Sequence, residues 1–160
     1  MELPEVKDRL TQIEPMLSAR VWIEFAAFER DGRLLHVGLT DRLRKRARKE
    51  GVWKSKDFCT TLKNAAYGFD ERRARSPGGQ DGIFLLDKKF RPRNEMMRKL
   101  FDRFLEKPES GARAIAESLE VETDTLLPVR LVSHHMRLLG VLCRKADADW
   151  LVLVDCDRTK

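Results

Sequence analysis

Residues 20–50 read RVWIEFAAFERDGRLLHVGLTDRLRKRARKE, and their pattern changes twice. Residues 20–28 are aromatic and β-branched, the composition of a strand. Asp31-Gly32 is a hairpin turn signal, because the turn needs left-handed backbone that Asp and Gly tolerate. Arg33 to Val37 returns as the second strand, and Gly38 is read as its break. Thr40 or Asp41 is placed to cap a helix running to about Glu50, whose apolar stripe is Leu43 and Ala47. A hairpin feeding a basic helix therefore forms the centre of the N-terminal half.

The periodicity on either side extends this frame. Pro4 suits a first helical position, and Val6, Leu10, Ile13 and Leu17 recur at helical spacing over 4–17. A helix near 57–66 carries Phe58, Leu62, Ala65 and Ala66 on one side. Residues 70–82 read as a loop, and Ile83 to Leu86 as a short buried strand. Residues 94–106 form a strongly amphipathic pattern through Met97, Leu100, Phe101, Phe104 and Leu105, ended by Pro108. Gly111 to Leu119 gives a short helix. Leu131, His135, Leu138 and Leu142 then predict a further helix that Gly140 stops. Val141–Arg144 and Trp150–Val154, around a polar turn at 145–149, predict a hairpin. The expected class is α+β: a small N-terminal β-hairpin sheet with a basic helix, then a mostly helical C-terminal half ending in a β-hairpin. The division is 1–93 and 94–160, with one continuous domain as the alternative.

Composition limits the function. The chain has 160 residues, 42% apolar and 36% charged, enough apolar material for a core. The longest apolar run, Trp150–Val154, is far short of a bilayer span, and no signal-peptide pattern opens the chain. Three cysteines without C-x-x-C spacing suggest reduced thiols and a cytoplasmic setting. Cys59 reads as a small core residue. No zinc or calcium spacing is present, so no metal ligands and no cofactor are expected. Asp147, Asp149, Asp155 and Asp157 read as a solvated set around a turn.

The charge is uneven. Residues 1–93 hold 21 basic and 14 acidic residues, a net of +7, while 94–160 hold 11 and 12, a net of −1. The excess concentrates in Arg42, Arg44, Lys45, Arg46, Arg48 and Lys49, followed by Lys54 and Lys56. Like charges at this density repel one another unless a polyanion neutralises them, and nucleic-acid phosphate is the simplest one. The leading expectation is a nucleic-acid-binding protein, in regulation or mobile-element biology, with these eight side chains on phosphates. A protein-interaction or inhibitor protein that meets an acidic partner is an alternative.

Two resemblances add detail. Residues 34–48, LLHVGLTDRLRKRAR, resemble the second half of the GIY-YIG nuclease signature. His36-Val37-Gly38 stands where Y-I-G would be, Thr40, Asp41 and Leu43 match the pattern that follows it in the signature, and Arg46 falls where the family's catalytic arginine lies. Trp22-Ile23 lies roughly where G-I-Y would be. The resemblance covers about residues 20–56. It implies a metal-dependent endonuclease, with His36 as base, Arg46 as phosphate clamp and Mg²⁺ on a helix carboxylate, for which the 94–106 segment offers Glu95. Residues 94–157 resemble a winged helix. Ala116, Leu119, Val121 and Leu126 fall at its small and apolar positions, and Lys145–Asp149 at the wing tip. That resemblance implies Arg130, His134, His135 and Arg137 as the side chains nearest a nucleic acid, or a C-terminal half used for protein contact or homodimerisation.

Overall fold

The computed structural model describes residues 6–30, 32–68, 82–85, 111–132 and 136–158. The order is α1 (Val6–Leu17), β1 (Trp22–Arg30), β2 (Arg33–Thr40), α2 (Asp41–Lys49), α3 (Lys56–Gly68), β3 (Gly82–Leu85), α4 (Ala112–Ser118), a 3-10 turn (Thr123–Thr125), β4 (Leu127–Val132), β5 (Met136–Arg144) and β6 (Ala148–Arg158). The class is α+β, as expected. The helix expected over 94–106, with Glu95, lies outside the described residues, as do most of the 70–82 loop and His134 and His135.

The strands form one mixed sheet in the order β1-β2-β6-β5-β4-β3. The hairpin β1-β2 and the run β3-β4-β5 are each antiparallel. β6 lies between them, parallel to β2 and antiparallel to β5. A strand with neighbours on both sides and helices above and below must be apolar on both faces. Trp150–Val154 meets that demand: Leu151 and Leu153 enter one core cluster, Val152 and Val154 the other. The first cluster joins α1, α2 and α3 to the sheet through Leu10, Leu17, Leu43, Phe58 and Leu62. In the second, Ala112, Ile115 and Ala116 of α4 pack with Val141 and Cys143. Strands from 1–93 and from 94–160 thus share one sheet.

Several expectations change. Leu131, Leu138 and Leu142 lie on strands β4 and β5, not on a helix. The described part of 94–160 is therefore mostly strand, and β4 and β5 occupy the place a winged helix gives its recognition helix. Val129 and Leu131 are buried at the two-residue spacing of a strand. Pro128 is the second residue of β4, opposite Val141 of β5, near a strand start where proline's missing N–H is best tolerated. Gly140 lies within β5 and does not end an element. Asp149 and Asp155 are buried rather than solvated, at 9% and 2% exposure.

Gly38 also lies inside a strand, paired with Glu24 and Val152. It serves packing rather than termination. A Cβ there would overlap Cε3 of Trp22, whose indole lies across the glycine. At Gly140 a Cβ would meet the Val152 carbonyl oxygen at 2.6 Å. Gly38→Ala should therefore cost about 1–3 kcal/mol, as overpacking does. Gly140→Ala should cost at least as much, because backbone yields less than a side chain. Urea unfolding midpoints of the two variants check both.

Candidate nucleic-acid interface

The basic segment folds as a helix, a tight turn and a second helix. The Thr40 hydroxyl caps α2 by accepting from the Leu43 amide at 3.1 Å. The same hydroxyl donates to the Val154 carbonyl at 3.3 Å, which ties the start of α2 to β6. Leu43 and Ala47 are fully buried and hold the inner side of the helix on the core. At the other end the Gly51 amide donates to the Arg48 carbonyl and the Val52 amide to that of Ala47. This is a Schellman ending, and it needs the left-handed backbone that Gly51 supplies at φ +72°. The Ser55 hydroxyl then accepts from the Phe58 amide and caps α3.

The cations line this frame in ordered pairs. Arg42 Nε contacts Asp155 Oδ2 at 3.3 Å. Asp41 takes both Arg44, at 2.6 Å, and Lys45, at 3.1 Å. Arg46 Nε lies 3.4 Å from Glu50 Oε1, and Glu14 of α1 takes both Arg48 and Lys54. Lys49 and Lys56 are exposed. Among the described residues, Glu14, Asp41, Glu50 and Asp155 thus meet six of the eight cations, which outnumber these carboxylates two to one. An exposed pair such as Lys45–Asp41 contributes little stability, whereas Asp155 and Glu14 are largely covered. The effect of the pairs is to hold long side chains in fixed places. The Lys45 and Arg48 side chains remain 71% and 53% exposed, so both are open to a ligand from solvent.

His36 belongs to a different cluster. Its Nδ1 is paired with Glu24 Oε1. Its ring stacks on Trp150 at 3.9 Å and 11°, and Trp22 meets Trp150 edge-on at 5.6 Å. The Trp22 indole N–H donates to the Ser118 hydroxyl of α4. His36 is registered against Trp150 on β6, whereas Arg42 contacts Asp155, about 16 Å farther along that strand at the ordinary rise per residue. Among the described residues His36 thus partners Glu24 and Trp150, and Arg46 partners Glu50. Among the described residues no three His, Cys, Asp or Glu side chains are grouped to hold a metal ion.

Sequence reasoning missed Glu14, Asp155 and Glu24. Glu14 is a polar residue on an amphipathic helix, and nothing local marks it as the acceptor for Arg48 and Lys54. Asp155 sits among acidic neighbours, a pattern that suggests solvation. Burial raises its carboxyl above the ordinary carboxylate value, against the Cys156 amide and the charges of Arg42 and Arg46, which act to lower it. Burial likewise raises the thiols of Cys59 and Cys143. The Arg33 guanidinium is raised by its hydrogen bond to Asp149.

Two measurements test this geometry. Thr40→Ala should cost about 1 kcal/mol through loss of the helix cap. A raised Asp155 binds its proton more tightly when folded, so the contribution is present at low pH and lost as pH rises through the folded value. The stability of the wild type relative to Asp155→Asn should therefore fall as pH is raised from about 4. Denaturant titrations of both proteins across that range read the slope. Comparison of the chain with protein-family models, curated proteins and solved structures finds no match.

Proposed function

We propose that the chain binds nucleic acid, contacting phosphates with the basic face of residues 42–56. One observation carries the reading: eight cations are gathered on one helix, its turn and the start of the next, and among the described residues they outnumber the four carboxylates that meet six of them. Phosphate contacts need such positioned charge, because each cation placed on the backbone releases a condensed counterion. Lys45, Arg48, Lys49 and Lys56 are exposed to solvent. Lys45 and Lys49 stand one helical turn apart on α2, a spacing that lets both reach one backbone. Arg44 and Arg46 are partly covered and serve to shape the face.

The test is binding of labelled duplex DNA and of single-stranded RNA at about 50 and 200 mM salt, where phosphate contacts lose affinity steeply. Lys45→Ala, Lys49→Ala and Lys56→Ala should each weaken binding across sequences and reduce the salt slope by about one. Absence of binding at the lower salt for both nucleic acids overturns the reading, and capture of a defined acidic peptide in their place supports the acidic-partner alternative.

A further inference from the structure

We propose that Arg48 and Lys54 form a phosphate-binding site whose resting occupant is the carboxylate of Glu14. The inference rests on the nucleic-acid reading and goes beyond it by assigning one subsite and an internal competitor for it. Glu14 projects from α1 with its side chain only 15% exposed, and its two oxygens receive two different cations. Arg48 Nη2 reaches Oε1, and Lys54 Nζ reaches Oε2 at 2.8 Å. Two oxygens on one centre, sharing one negative charge, are also what a phosphodiester presents through its non-bridging oxygens. The carboxylate thus fills the space between the two cations that a backbone phosphate would compete for. Two cations on one anion leave the pair positive, and the site still attracts a second anion.

Lys54 is held in place by the backbone around it. It sits at φ +64°, in the left-handed region that costs a residue with a Cβ. The turn is fixed on one side by the Schellman ending at Gly51 and Val52, and on the other by the Ser55 cap of α3. Lys54 is therefore locked facing α1, and such locked outliers concentrate at ligand clamps. Arg48 is the more open partner, with its side chain 53% exposed. Its planar fork has donors enough to take a phosphate bidentately once it leaves Glu14. Lys45 and Lys49, on the same helix, extend the contact to neighbouring phosphates. Glu14 lowers affinity for any polyanion that does not engage several of these cations together.

The experiment is fluorescence anisotropy of the full chain with a labelled DNA duplex and with a labelled single-stranded RNA, at about 50 and 200 mM salt. Glu14→Gln keeps the shape and removes the charge. It should tighten binding by about tenfold and steepen the salt slope by about one, because one more phosphate is neutralised. Adding Arg48→Ala and Lys54→Ala should abolish the gain. If the wild type binds and Glu14→Gln binds no tighter, or if the gain survives without Arg48 and Lys54, the site is overturned while the nucleic-acid reading stands. If neither protein binds either nucleic acid, both fall. Binding by Glu14→Gln alone overturns nucleic-acid binding by the wild type while supporting Glu14 as the competitor at the site. Should Glu14→Gln fail to fold by circular dichroism, Arg48→Ala and Lys54→Ala in the wild type must each weaken binding and lower the slope; unchanged affinity in both overturns the site.

Discussion

The parallel pairing of β2 with β6 is the constraint on which the other contacts depend. β1-β2 is a local hairpin and β3-β4-β5 is an antiparallel run, and neither reaches the other without β6. Leu34 through Leu39 lie against Ala148 through Leu153 in register. A shift of one residue would send Leu151 and Leu153 into the cluster built for Val152 and Val154. Both faces of β6 are buried, so register is specified twice. Gly140 sharpens it further, since only a residue without a Cβ lets β5 approach the Val152 carbonyl this closely.

The basic face inherits its position from that pairing. β2 ends at Thr40 while β6 runs on to Arg158. α2 packs beside the part of β6 that β2 does not reach, through the Thr40 hydroxyl and the Arg42–Asp155 pair. A dense run of cations is a poor helix in isolation, because its charges repel. In this chain Leu43 and Ala47 anchor it, and carboxylates from α1, α2 and β6 space the charges out. Those carboxylates come from segments far apart in sequence. The arrangement of the charges is thus a tertiary property, although their number is a local one.

That distinction explains what is legible in the sequence. The hairpin, the Thr40 cap and the basic helix can be read there because each is set by neighbours within a few residues. Val6, Leu10, Ile13 and Leu17 mark α1 for the same reason. Leu131, Leu138 and Leu142 mislead because their spacing suits a helix while the alternation of Val129 and Leu131 suits a strand. The sheet decides between them by offering β4 partners on both sides. Gly38 suggests a break because glycine's freedom is a local property, whereas its use in the fold is to admit Trp22. The pairing of Glu14 with Arg48 and Lys54, and the burial of Asp155, have no local signal at all.

The place of β6 in the chain has a consequence for synthesis. Its two neighbours, β2 and β5, are both made before it. On a ribosome the hairpin and the basic helix emerge early, with Leu35, Val37 and Leu39 still lacking the strand beside them. The sheet closes only when residues 148–153 clear the exit tunnel. Until then the nascent chain carries an open strand edge next to a strongly positive segment, in a setting crowded with ribosomal RNA. Long-range closure of this kind is slow, so the interval in which that edge needs shielding is set by the arrival of β6.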